Sequence, residues 1–258
     1  MSDANGSIQS VQRSFALLEH LAKRPEGSTI KELSAALGMP KSTVHRLLQN
    51  MVGLGYVLQS EDTARYRPTL KLFAVASEFV DQMGVISFAR PHLEKLAHQS
   101  GETVHLVVQD GIDVVYVYKT ETQAMRMSSR LGLRIPMYCT GVGKALLANM
   151  SYAEVQRIWQ QSDIQPITPK TLVSFGQLEK QLAAIRHSGW AVDDEENEPG
   201  IRCVAVALAA PAGTPSSAFS VSGVATRMDE AHTRALAQMC LEARQAILQD
   251  MGLAGWKA

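Results

Sequence analysis

The sequence predicts an α+β chain of two domains: a small helical domain closed by a β-hairpin, then a larger domain built on an antiparallel sheet. Three observations predict it. Apolar residues recur at helical spacing as far as Met51. Short strand-like runs set off by tight-turn residues begin after Gly101. Helices and strands are then mixed without regular βαβ repeats, which favours hairpin-connected strands over a parallel sheet. A length of 258 residues suits two domains, at roughly 100–200 residues each. The expected boundaries are 8–69 for the first domain, 70–84 for a linker helix and 85–253 for the second.

In the first domain, Val11, Phe15, Leu18 and Leu21 mark an amphipathic helix over about 9–23. Pro25 to Ser28 breaks it. Ile30, Leu33, Ala36 and Leu37 mark a short second helix, and Gly38 stands where a helix-ending glycine belongs. A third helix starts near Lys41, with Val44, Leu47, Leu48 and Met51 as its apolar face. Two helices joined by a tight glycine turn form a helix-turn-helix. Ser42, His45, Arg46 and Gln49 lie at i, i+3, i+4 and i+7 and form one polar stripe on the opposite face. Lys41, Ser42 and Thr43 sit at the N-terminus, where backbone N–H groups favour an anion. Gly55 to Gln59, a polar loop and Arg65 to Arg67 read as strand, turn and strand. A hairpin directly after such a helix makes a wing, with Arg65 and Arg67 as its candidate phosphate contacts.

Leu70, Phe73, Ala74 and Phe79 suggest a connecting helix to about Gln82, with Gly84 as a hinge. Phe88 to Gln99 reads as a helix stopped by Gly101. Thr103–Gln109 and Asp113–Thr120 read as strands joined by Asp110-Gly111, a strong hairpin signal. Residues 124–130 are expected as a further strand. Thr140 to Asn149 reads as a helix, Ser151-x-x-Glu154 as a capping box opening another, and Ser174 to His187 as a third. Strands at 203–209 and 218–224 and a long helix over 229–251 complete the chain.

Charge sharpens the first domain. Lys plus Arg and Asp plus Glu both number 25. Through Lys71 there are nine basic and six acidic residues, and between Glu32 and Glu61 there is no carboxylate at all. A surface that approaches phosphate excludes carboxylates for Coulombic reasons. That window holds Lys41, His45 and Arg46. No apolar run approaches the ~20 residues of a membrane span. Residues 1–12 are polar and lack a signal-peptide core. A cytoplasmic protein with no membrane partner is expected. Cys139, Cys203 and Cys240 are too few and too scattered for a disulfide framework or a zinc site, so neither a metal nor another cofactor is expected.

Nearly end to end, from Ile8 to Gly252, the chain resembles the IclR-type family of bacterial transcription regulators. The matching stretches are Ser10-Val11-Gln12-Arg13, Pro40 to Leu48 and Gly55-Tyr56-Val57, then Gly101-Glu102-Thr103, Pro136 to Ala148, and Asp194 to Glu198 through Gly200 to Cys203. The resemblance implies a winged helix-turn-helix followed by a GAF-like effector-binding domain. It implies a homodimer or dimer of dimers on palindromic double-stranded operator DNA. It also implies a small organic acid as effector and, most often, repression of a catabolic operon, with sugar-acid and glyoxylate-related regulators the nearest look. Carried over by position, the ligand residues are Gly141, Val142, Asp193, Cys203, Ser220 and Ser222. The chemistry agrees: helix-terminal N–H groups hold carboxylates, and serines at i and i+2 of one strand face the same side. Val142 stands where alanine is common, Ala207 where proline is common, and the hairpin at residues 211–216 is altered. These departures touch ligand identity.

Rival readings exist for three segments. Gly141-Val142-Gly143-Lys144 faintly resembles a phosphate loop, but Tyr138 and Ala145 stand where a Walker motif needs glycine and a hydroxyl. The acidic run Asp193–Glu198 is a candidate metal site or a solvated charge run. Cys203 would serve a thiol enzyme only with a lowered pKa and a resolving partner; no catalytic residue is assigned. In that rival class the first domain would bind protein instead of DNA.

Overall fold

The computed structural model describes residues 4–120, 127–208 and 216–253. It separates into two compact units, 1–82 and 83–258.

The first unit holds α1 (Ala4–Ala22), α2 (Ile30–Leu37), α3 (Lys41–Gly53), β1 (Val57–Gln59), β2 (Tyr66–Pro68) and α4 (Lys71–Asp81). Its core gathers Leu17, Leu21, Leu33, Val44, Leu47, Leu48, Met51, Val57 and Tyr66. Thr29 and Glu32 form a reciprocal capping box at the start of α2, and Gly38 closes it in the left-handed conformation. The wing is antiparallel, with Leu58 opposite Arg67. Ser28 pairs with Tyr66 across an isolated bridge, which ties the α1–α2 connection to the wing. The buried face of α1 differs from expectation. Leu17 and Leu21 are buried, while Val11 and Phe15 are 53% and 59% exposed. Helical spacing alone does not choose between two adjacent apolar stripes.

The second unit opens with α5 (Gly84–Ser100), β3 (Thr103–Asp110), β4 (Asp113–Thr120) and β5 (Arg134–Pro136). Then follow α6 (Gly141–Leu147), α7 (Tyr152–Gln161), α8 (Phe175–Ser188), β6 (Ala191–Asp194), β7 (Ile201–Leu208), β8 (Ser217–Val224) and α9 (Glu230–Asp250). One six-stranded sheet runs β5-β4-β3-β8-β7-β6, and all its pairings are antiparallel. Ala205, Ala207 and Ala218 face a core shared with α6, α7 and α8. The alternate residues Val204, Val206, Phe219 and Val221 are also buried, and α5 and α9 pack on the sheet and on each other.

Three expectations change. Gly84 is the first residue of α5, which starts four residues before the expected Phe88, with Met83 as its N-cap. Residues 121–126 lie outside the described residues, and 127–130 form no strand. The strand beside β4 is β5, with Asp113 opposite Pro136. Proline is tolerated there because β5 is an edge strand. Finally, β6 is an unanticipated strand that takes in the first two acids of the run, Asp193 and Asp194. No single helix among the described residues is long and apolar enough to cross a membrane.

Candidate nucleic-acid interface and ligand cavity

Burial of Val44, Leu47, Leu48 and Met51 fixes the rotation of α3. The opposite face is thereby forced outward. Lys41, Ser42, His45, Arg46 and Gln49 are exposed and Thr43 is half-buried. No side chain caps the start of α3, where Pro40 stands. Gln49 has only a weak tether, its Nε2 lying 3.5 Å from the Tyr66 hydroxyl. Among the described residues, the ion pairs of this unit are Arg65–Glu32 and Arg67–Glu26. Lys41 and Arg46 are therefore un-neutralised cations on a helix face free of carboxylates.

Arg65, expected at a phosphate, is engaged within its own unit in the free chain. Its guanidinium donates to both oxygens of Glu32, at 3.0 and 3.1 Å, and to the Gly27 carbonyl at 2.9 Å. The fork is used within the unit, holding the wing to α2. Arg67 lies 4.0 Å from a largely exposed Glu26, a loose contact that leaves its head in solvent.

In the second unit, strand register builds the cavity. One cross-strand row runs Asp193, Cys203, Ser222, Thr103; the next runs Ala205, Ser220, His105. Side chains in adjacent register positions share a face. Gly141 and Val142 close the wall: a Cβ on Gly141 would stand 3.2 Å from Ala205 Cβ. All six carried-over ligand residues line one cavity, together with His105, Tyr116, Met127 and Ser129. Its volume is about 30 Å³, room for one or two waters. Anything larger than water would have to displace a lining side chain, and Met127 is the adaptable one. α6 has seven residues and is capped by Thr140, whose hydroxyl accepts the Gly143 N–H.

His105 and Tyr116 are two of the cavity residues that sequence reasoning missed, along with Met127, Ser129 and others lining it. β3 is buried on both faces through Val108, so no alternation marks His105 as facing a site. Its Nε2 meets Ser129 at 2.8 Å and its Nδ1 meets Ser222 at 3.3 Å. Its ring lies 5.0 Å from that of Tyr116. Burial, with Lys119 nearby, pushes the imidazole down to about 3, so it stays neutral. Burial lifts the Asp193 carboxyl to about 7, against the opposing pull of Lys144 and of the Glu196 N–H. Burial and Asp193 push the Cys203 thiol up, out of the reactive range.

The acidic run is held by several partners, with Lys170 shared by Asp194 and Glu195. Asp193 accepts the N–H groups of Glu196 and Asn197. Asp194 pairs with Arg202 and Lys170, and Glu195 with Lys170. Glu198 accepts from Ser128. Among the described residues no group of acids, histidines and cysteines is placed to hold a metal. Lys144 is wholly buried, bonded to Glu196 and to Gln181. It is an internal cation, not a phosphate clamp. Gly143 is required for packing, since a Cβ there would stand 2.3 Å from the Met137 backbone.

Comparison with known families now bears on both sites. Residues 10–61 match the IclR helix-turn-helix domain and residues 77–249 match the C-terminal region of the bacterial transcriptional regulator IclR. The chain belongs to the IclR family. It is a DNA-binding transcription regulator, and the family consists of regulators rather than enzymes. It is 35% identical over 248 residues to the DNA-binding transcriptional repressor YiaJ of Escherichia coli, covering 95% of this chain and 88% of that one. It is 34% identical over 250 residues to the acetate operon repressor of Salmonella typhimurium, covering 96% and 91%. The crystal structure of the Thermotoga maritima IclR superposes with a TM-score of 0.81 at 31% identity, over 96% of this chain and 99% of that one. An IclR homologue from Microbacterium hydrocarbonoxydans, complexed with 4-hydroxybenzoate, shares the fold at 20% identity and a TM-score of 0.81, over 94% and 99%.

Proposed function

We propose that this IclR-family regulator is a repressor of a catabolic operon that binds a palindromic operator and answers to a small carboxylate effector. The observation that carries the effector reading is the cavity where Gly141, Val142, Asp193, Cys203, Ser220 and Ser222 converge. Two buried serine hydroxyls, 3.4 Å apart, can both donate to a carboxylate. A partly protonated Asp193 supplies a further donor. The names of the two curated relatives support repression.

The exposed stripe of α3 enters the major groove, with Lys41, Ser42 and Thr43 near phosphate and His45, Arg46 and Gln49 toward base edges. Arg67 of the wing meets the backbone. A homodimer, or a dimer of dimers, supplies the two half-sites. Large apolar side chains left uncovered in the single chain support association: Leu70 at 84%, Phe73 at 71% and Phe79 at 63% exposure around α4.

A thermal-shift screen of the purified chain tests the effector reading. The acids are glyoxylate, pyruvate, keto-deoxy sugar acids, aldonates and aromatic acids. A ligand that binds only the folded state raises the melting temperature as its concentration passes Kd. At least one acid should do so, and Ser220→Ala with Ser222→Ala should abolish the rise while leaving DNA binding of the free protein intact. No shift from any acid would remove the carboxylate reading.

A further inference from the structure

A second, larger opening lies in the C-terminal unit, apart from the cavity just described. It is a groove of about 1060 Å³ between the end of α8, α6 and the residues after it, Ala207 of β7, and α9. No residue of the effector cavity lines it. Its charge is set by Arg186 and Arg244, with Glu242 as the one carboxylate among its lining residues. Glu242 already accepts from the Gln238 amide at 2.9 Å.

Arg244 is the informative group. Its Nε is buried and has no hydrogen-bond partner among the described residues. Burial without an offsetting acid pushes its pKa down. Arg244 is half-buried, and desolvating part of a cation without compensation is costly. Arg186 is fixed differently: its Nε donates to the Ala148 carbonyl at 2.9 Å, which holds the stem and leaves the two terminal nitrogens. Neither arginine has an ion-pair partner among the described residues. Planar guanidinium forks suit carboxylate and phosphate oxygens. The volume lies at the upper end of metabolite sites, and Gln245 and Gln249 supply amides for polar substituents.

We propose that this groove is a second ligand site, taking a metabolite-sized organic anion that carries a carboxylate or phosphate group, with Arg244 and Arg186 as its anchors. The site is independent of the effector cavity and stands whether or not that cavity takes a carboxylate.

Titration calorimetry of the full chain tests it, with citrate, glucose 6-phosphate, inorganic phosphate and neutral glucose as probes. Citrate or glucose 6-phosphate should bind and glucose should not. Binding of citrate alone identifies a carboxylate as the recognised group; binding of the sugar phosphate, with or without inorganic phosphate, identifies phosphate. Arg244→Gln and Arg186→Gln should each weaken binding by roughly tenfold or more, the loss of one charged hydrogen bond. Ser220→Ala with Ser222→Ala should leave it unchanged. Arg186 is exposed, so its variant decides the matter if Arg244→Gln melts early. The proposal is overturned if neither organic anion binds, if Arg186→Gln binds like the parent, or if the serine variant loses the signal.

Discussion

Asp193 is the side chain on which the proposed effector reading turns. Its carboxyl titrates near 7 in the folded chain, against an ordinary 3.8. The protonated form donates to an effector carboxylate and the ionised form repels it. Effector affinity should therefore fall as pH rises through about 7, and Asp193→Asn should flatten that fall. His105, at about 3, stays neutral across this window and contributes no slope of its own. Calorimetry on either side of neutrality reads the effect, and equal affinities would contradict it. Linkage gives the matching stability trend. A raised carboxyl pKa means that Asp193's contribution to stability is complete below about 4 and is lost as pH climbs through about 7. Lys144 and Glu196 pose the complementary case. Lys144→Met strands a buried carboxylate whose Oε2 already lacks a partner, at a cost of about 3–5 kcal/mol. Adding Glu196→Gln should return much of that stability. A urea midpoint unchanged by Lys144→Met would show that the pair does not support the fold.

Arg65 has a structural role that composition does not reveal. A basic residue on a wing suggests phosphate, but this one clasps Glu32 and the Gly27 carbonyl. Arg65→Ala should accordingly lower the melting temperature of the first unit, whereas Arg67→Ala should lower DNA affinity and leave melting unchanged. Reversed outcomes would restore Arg65 to the DNA surface. The legible elements share a property: their signals are local. The face of α3, the Asp110-Gly111 turn and the Ser151 capping box are each specified within a few residues. What escaped is tertiary. β6 is four residues long and carries two aspartates, and only pairing with β7 makes it a strand. β5 was displaced in the expectation because edge pairing leaves almost no periodicity in three residues. The position of His105 depends on register across three strands. The six carried-over cavity residues were found through family resemblance, since residues 141 to 222 do not announce a shared site by spacing.

At the scale of the whole molecule, the two units carry different features: one presents an uncompensated basic helix, the other a small cavity lined by both polar and apolar groups. α4 joins them in the chain. If an effector regulates operator binding, its occupancy must change DNA affinity through a coupling free energy, typically ~1–3 kcal/mol. The same factor must appear in the effector's affinity when DNA is bound. If the chain binds as a dimer, as proposed, operator symmetry should mirror its two-fold. The most direct test of the central claim is the salt dependence of binding to a duplex selected from a random pool, compared between the parent chain and Lys41→Ala with Arg46→Ala. The parent should bind with a steep salt slope. The double variant should melt at the same temperature, bind at least roughly tenfold more weakly, and show a shallower slope by about one unit for each phosphate contact removed. Unchanged affinity and slope in a folded double variant would contradict the assignment of α3 as the DNA-reading helix.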